Sequence, residues 1–539
     1  MARAVVDHRR ASNTRERDRD PAPARVNPHS RHSFSAPFYD CIIVGGGIAG
    51  MATALRLAAA GEQTCVLESH ATVGGCAGSF RRRGFSFDVG ATTLVDFEPG
   101  GVGGEFLETV GIDFDLGERL PGYVAWMPDR TVTLARDAEA WHAERLRAFG
   151  DTPRHRALWA KLDTIAHAFW RASRRGVRLP IRTLPDARQA LCCLGPRHLP
   201  LLRYLPRTLG QVLEEHGLRD DVPLVSLLSM LVEDTVHSTI DEAPAINAAL
   251  GITIRGAGLT RATGGMEGFW DRLVARYREL GGDLRLRTRA LAITGEQGDF
   301  HVETTKGCFR GARVVSALPV ELAAPMGPTP VAGALQGFID RDAKALGGAI
   351  IVFLGVPESE VAAQEWTHHQ LLESYDAPLG SGNNMFISVS APGDRSSAPK
   401  GHRAVMISTH CELEPWENLS RQEYRARRSE IGERLITLAR RVYPELGTEP
   451  TVLEVGTPRS YERFTRRPHG AVGGARQTLL NSNQKAIPHD IGVPGFRLVG
   501  DRTWPGLGTV ACVLGSRIVA EDILLESRRR GRRARGARG

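Results

Sequence analysis

Tyr39-Asp40-Cys41-Ile42-Ile43-Val44-Gly45-Gly46-Gly47-Ile48-Ala49-Gly50 decides the fold of this 539-residue chain. Residues 39–44 form a short apolar run with β-branched side chains, which predicts a buried strand. Glycines follow in the order Gly45-x-Gly47-x-x-Gly50. Residues 51–60 are rich in Ala and Leu and stop at Gly61, which predicts a helix. Residues 63–67 predict a second strand, with Glu68 at its carboxyl end. Strand, glycine turn, helix and strand in succession make a dinucleotide-binding unit. The first glycine permits the tight turn, the second lets the backbone approach a pyrophosphate, and the third lets helix and strand pack closely. The phosphates would meet the free N–H groups and positive end of the helix. A carboxylate at Glu68 can accept both ribose hydroxyls and disfavours a 2′-phosphate.

Outward from this unit, residues 105–250 predict mostly helix, punctuated by Arg, Leu and Pro. Residues 252–320 alternate, with a helix over 266–280 and strands near 284–294, 299–304 and 313–317. Strand-like segments follow at 348–354 and 404–408, then a helix around 421–442. Residues 450–480 are polar and loop-rich. A last strand over 496–499 precedes a strong helix over 509–525.

Hydrophobic residues make up 42% of the chain, enough for a large core. The formal charge of +8 is concentrated at the ends: residues 1–36 contribute +4 and residues 527–539 contribute +7, which leaves −3 for the body. The folded part therefore gives no support to nucleic-acid binding. The Arg-rich ends suit solvated tails or attraction to anionic lipid. Eight scattered cysteines form no C-x-x-C pair, so neither a zinc site nor a disulfide framework is indicated, and a reducing cytoplasm is the simplest location. Residues 1–36 lack an apolar signal core, and no segment has the ~18–20 apolar residues needed to span a membrane.

Further motifs extend the pattern. Gly74-Gly75-Cys76-Ala77 and then Gly84-Phe85-Ser86-Phe87-Asp88-Val89-Gly90 follow Glu68. Gly264-Gly265-Met266, a helix and Gly281-Gly282 lie in the middle, and Val314-Val315-Ser316-Ala317-Leu318-Pro319 follows. At the far end, Phe496 to Val499 leads into Gly500-Asp501-Arg502-Thr503-Trp504-Pro505-Gly506-Leu507-Gly508-Thr509. Together these resemble the FAD fingerprint of the flavin amine oxidase and phytoene desaturase superfamily from residue 39 to 525. The resemblance implies an α/β fold: a Rossmann-type FAD-binding domain with an inserted α+β substrate domain. Its FAD-binding parts would be 37–105, 251–325 and 485–527. The substrate parts would be a helical, membrane-facing 106–250 and a sheet with helices over 326–484, flanked by disordered basic tails over 1–36 and 528–539. The implied cofactor contacts are Gly45, Gly47, Ile48, Ala49, Gly50, Glu68, Ser69, Gly75, Cys76, Ala77, the backbone of Ala290 beside the adenine, Gly500, Asp501 toward the ribityl chain, and Gly508, Thr509 and Val510 at a helix N-terminus near the flavin.

Within the superfamily, Cys76 stands where amine oxidases usually carry Arg after the double glycine, and no Lys lies between Lys306 and Lys344. The terminal motif and the segment Thr457-Pro458-Arg459-Ser460-Tyr461-Glu462-Arg463-Phe464-Thr465 with Arg467-Pro468-x-Gly470 instead resemble carotenoid isomerases and carotenoid 3,4-desaturases. Trp504 and Leu507 depart from the commoner Phe and Gln. The resemblance implies a peripherally membrane-associated oxidoreductase that desaturates an apolar polyene by hydride transfer to the flavin, with quinone or O2 as final acceptor. Redox-neutral isomerisation and reduction of a polyene double bond, as in retinol saturases, are alternatives, and a flavin amine oxidase is a more distant one. No Ser/His/Asp triad, paired catalytic carboxylates or metal-ligand set stands out. Tyr461, Phe464 and Trp504 could border the flavin. Glu233-Asp234 suggests the solvated face of a helix, since a role beside the polyene would need burial. Residues 177–213, with Leu-rich stretches and interleaved Arg188, Arg197, Arg203 and Arg207, suit either an interfacial segment or a cap over the substrate.

Overall fold

The computed structural model describes residues 37–536, with side chains up to Arg530. The basic tail expected over 1–36 lies outside these residues. The strand Cys41–Val44 is fully buried at the centre of a five-stranded sheet. The order across the sheet is Asp283–Arg285, Thr64–Leu67, Cys41–Val44, Val314–Ser316 and Phe496–Leu498, with every neighbouring pair parallel. A parallel sheet covered on both faces loses polar alternation, which is why these strands are continuous apolar runs. Cys41 and Ile43 face the core of helices Ile48–Ala59, Val102–Val110 and Thr509–Gly536. Ile42 and Val44 face a four-stranded layer on the other side. Val44 pairs with Leu67 and Ser316, and Ser316 with Leu498, so the carboxyl ends reach one common edge. The chain leaves Cys41–Val44 toward one side of the sheet and returns on the other, and ligands bind at such a switch point in open α/β sheets.

A second, seven-stranded sheet runs in the order Val452–Gly456, Gly348–Pro357, His402–Cys411, Asn384–Val389, His368–Leu372, Gly122–Trp126, Thr131–Ala135. Alternation sorts its two faces. Val352, Leu354, Ile387 and Ile407 pack under the helix Arg421–Ala439. Ile351, Phe353 and Met406 turn the other way, toward Phe85, Phe87 and Tyr461. Helices Pro153–Arg174, Val222–Val236 and Ala245–Ile252 close the far side around a separate apolar core.

Three expectations change in detail. Residues 105–250 are mostly helical, as expected, but Gly122–Trp126 and Thr131–Ala135 join the second sheet, where Val132 and Leu134 point inward and Thr131 is exposed. Residues 450–480 are not all loop. Val452–Gly456 is fixed by its ladder to Gly348–Pro357, and the helix Pro458–Thr465 starts on a proline, with Ser460 Oγ accepting the Thr457 N–H at 3.2 Å. The expected disordered tail from 528 is helical to Gly536, because arginine is a good helix former and extends a helix that packing has already nucleated.

Candidate functional site: a cofactor cradle continuous with a second chamber

The five-stranded sheet's carboxyl edge opens into a cavity of about 1510 Å³. Every expected cofactor contact, from Gly45 to Val510, lines it. A Cβ at Gly50 would overlap the Gly45 carbonyl oxygen, so the third glycine is required for helix and strand to close on each other. A Cβ at Gly47 or Gly508 would meet no protein atom within 4 Å, so both positions leave space open at the cavity wall. Gly47 starts the helix Ile48–Ala59 without a side-chain cap, and neither this helix nor Thr509–Gly536 has an acid in its first turn. Two helix starts without a first-turn acid thus offer their positive ends to one space, the arrangement that holds phosphate and developing negative charge. Glu68 is preset: its Oε2 accepts the Gly46 N–H at 2.7 Å, and its Oε1 accepts the His70 N–H at 2.6 Å and the Ser69 hydroxyl at 3.2 Å. The double glycine docks on the same turn, with the Gly74 N–H donating to the Gly46 carbonyl at 2.9 Å.

At the other end of the cradle, Arg467 donates to Asp501 at 2.6 Å. Burial opposes the Arg467 charge, but the Asp501 carboxylate outweighs it and raises the guanidinium pKa. This partner was missed in the sequence, although Arg467 stands in a segment whose resemblance was evident. Cys76, between the double glycine and Arg467, has its thiol pKa raised by burial.

The aromatic candidates separate. Tyr461 is buried on the cavity wall and donates its hydroxyl to the Val89 carbonyl, and burial pushes its pKa far up. Phe464 lines the cavity but is 56% exposed, its ring edge-on to His70 at 6.0 Å, so it borders the mouth near Glu68. Trp504 does not line the cavity. It is buried in the core beneath the helix Thr509–Gly536, which corrects its expected place beside the flavin.

Beyond the cradle the cavity continues against the second sheet. Met230, Ile351, Phe353, Met385 and Phe386 contribute apolar wall. Glu233 and Asp234 belong to this wall rather than to a solvated helix face. The helix Val222–Val236 ends here, with His237 in the left-handed conformation as its cap. Asn384 donates to Glu233, and Gln370 donates to Asp234 at 3.2 Å. Burial raises the Asp234 pKa against the pull of Arg255 and His410.

A parallel nucleotide sheet, a glycine-lined cradle with two helix starts, and an adjoining second domain define an FAD-dependent oxidoreductase. Residues 222–524 match the flavin-containing amine oxidoreductase family and residues 43–109 match the NAD(P)-binding Rossmann-like domain, and the chain belongs to the former family. It is similar to the chloroplastic prolycopene isomerase of Arabidopsis thaliana, 25% identical over 525 residues, covering 91% of this chain and 84% of that protein. It is also similar to the lycopene-forming phytoene desaturase of Pseudescherichia vulneris, 23% identical over 519 residues, covering 89% and 98%. An oxidoreductase from Methanosarcina mazei shares the fold, with a TM-score of 0.58 and 16% identity over 89% of this chain and 99% of its own.

Proposed function

We propose that the chain desaturates a long apolar polyene held in the chamber beside its FAD. The observation that carries this reading is the continuity of one cavity from the glycine cradle to the Met230–Phe353–Phe386 wall, so that an apolar chain and the cofactor ring share a space. Glu68 would hold the adenosine ribose, the Ile48–Ala59 helix start the pyrophosphate, Asp501 the ribityl chain, and the Thr509–Gly536 helix start the reduced ring's charge. Bound there, FAD supplies an acceptor for a hydride and its electron pair. The protein's own work is to orient the polyene and exclude water.

Such a substrate dissolves in lipid, and segment 177–213 fits a route from it. Leu184 is 87% exposed, Leu191 and Leu199 are exposed too, and Arg182, Arg188, Arg197 and Arg203 lie exposed among them. Apolar side chains set among cationic heads suit the interface of an anionic bilayer. Among the described residues no helix is long and apolar enough to cross a membrane. We infer peripheral attachment through this segment, with a quinone or O2 reoxidising the cofactor.

The test is the product formed from lycopene-type polyenes by the FAD-loaded protein. Desaturation removes two hydrogens and red-shifts the absorption, and an unchanged mass and spectrum would sink it. A second reading, redox-neutral cis–trans isomerisation, is favoured by the full-length similarity to prolycopene isomerases. It predicts an altered spectrum at unchanged mass.

A further inference from the structure

We propose that His410, positioned by Glu233, takes the proton that the polyene gives up as its neighbouring carbon loses a hydride. This rests on the desaturase reading above. The last turn of the helix Val222–Val236 brings Glu233 to the strand His402–Cys411, and Glu233 Oε2 lies 3.7 Å from His410 Nδ1. The His237 ring sits 4.5 Å from that of His410. His237 in turn packs against the Gly473 backbone, where a Cβ would overlap its ring. Gly474 packs against the Asp501 carbonyl in the same way. A short run of contacts therefore leads from His410 to the turn that carries Asp501, at the cofactor's end of the chamber.

Most buried polar atoms of a fold are paired. His410 Nε2 has no hydrogen-bond partner among the described residues, and the side chain keeps 29% of its surface exposed while lining the cavity. The Gln370 Oε1 is buried without a partner. The charged groups around His410 have opposed effects. Burial works against its imidazolium, but Glu233 and Asp234 outweigh it and raise the pKa, with Arg476 opposing. Burial, His410 and Arg476 hold His237 well below the ordinary histidine value, so His237 stays neutral. Arg255 acts on the cluster through Asp234.

Bound FAD would supply the two-electron acceptor: one C–H bond of the polyene would break with its electron pair leaving as hydride, so that the polyene is oxidised by two electrons and the cofactor reduced by two. The adjacent C–H bond breaks, its pair becomes the new π bond, and its proton goes to Nε2 of neutral His410. The resulting imidazolium faces the Glu233 carboxylate. Because the acceptor must be neutral, the step speeds up as pH rises through the His410 pKa.

The experiment uses the FAD-loaded full chain, mixed anaerobically with a lycopene-type polyene, and follows bleaching of the flavin against pH. In parallel, the histidine resonances of the isotope-labelled holoenzyme are titrated by NMR and assigned with His410→Gln. We expect His410→Gln to slow bleaching roughly 100-fold or more at unchanged FAD content. Glu233→Gln should lower both the pH midpoint of bleaching and the titration midpoint of His410, because it removes the carboxylate that raises them. Bleaching by His410→Gln within about 3-fold of the parent, well below the usual contribution of a general base, would overturn the proposal. So would a Glu233→Gln variant with both midpoints in place, or a parent His410 that titrates below the ordinary histidine value. A parent holoenzyme that titrates as expected but is bleached by no polyene would overturn the desaturase reading, and this assignment with it.

Discussion

The cradle and the chamber are two parts of one cavity built by different means. In the cradle most of the working groups are backbone. Glycines make room, helix starts present N–H groups, and Glu68 is locked by three donors within two residues of itself or of the first turn. In the chamber the working groups are side chains projected from strands and a helix end far apart in sequence, with Glu233, Gln370, Asn384 and His410 meeting only in the folded state. A backbone cradle fits one ligand of fixed shape. A side-chain chamber can be rewritten residue by residue without disturbing the sheet beneath it. That division lets one fold serve different substrates, and it is why function here must be argued from the chamber.

The comparison breaks most visibly at Gly50. Gly50→Val would drive a side chain into the Gly45 carbonyl, which is backbone and cannot swing aside. We expect a loss of roughly 4 kcal/mol or more and essentially no bound flavin, read as the ratio of flavin to protein absorbance after purification. Arg467→Ala comes next. It leaves Asp501 with most of its side chain buried and its cation gone, and losing one partner of a buried pair costs about 3–5 kcal/mol. The remaining exposure places the expected loss near the lower end of that range, measured by denaturant unfolding. Arg467→Lys should recover part of it, because it restores a cation beside Asp501, which is held by a single N–H···O bond.

Glu68→Gln tests whether the carboxylate's charge matters beyond its geometry. The amide keeps one acceptor but puts a donor against either the Gly46 or the His70 N–H. Hydrogen bonds to charged groups contribute about 1.5–3 kcal/mol, so loss of one such bond to the ribose should lower flavin affinity roughly 10- to 100-fold. Equilibrium dialysis of the apoprotein with FAD would measure it. Unchanged affinity would mean that Glu68 serves the turn and not the ribose.

These two parts also differ in what a sequence reveals. The cradle is legible because its signals are local: Gly45, Gly47 and Gly50 lie within six residues, and the spacing to Glu68 is fixed by one helix. Asp501 was legible for the same reason, but its partner Arg467 was not, because nothing local to either residue says that the two segments touch. Glu233-Asp234 misleads on the same ground. Adjacent acids near a helix end usually face water, and only the strand carrying His410, more than 170 residues later, closes over them. Trp504 shows the opposite error. It stands in a motif whose neighbours line the cavity, but its ring turns into the core under the last helix. Segment 177–213 combines both characters: Leu184 is 87% exposed, whereas Leu201, Tyr204, Leu209 and Leu213 are buried in the helical core.

The smallest expected effect separates function from stability within the chamber itself. Burial raises the Asp234 pKa above its unfolded value, and the attraction of Arg255 and His410 only partly offsets this. A folded carboxyl with a raised pKa binds its proton more tightly than the unfolded one. Asp234 is therefore without penalty below the unfolded pKa, costs stability progressively as pH rises toward its folded pKa, and costs most above it. Asp234→Asn removes the charge and keeps an acceptor for the Gln370 amide. We expect a gain on the order of 1 kcal/mol at neutral pH, shrinking toward zero in acid, measured by denaturant midpoints at several pH values. The equivalent neutralisation in the cradle, Asp501→Asn, should instead destabilise, because it removes the partner of Arg467. Opposite signs from the same chemical change would show that Asp501 is held by its ion pair with Arg467, while Asp234 stays in the chamber at a net cost to stability.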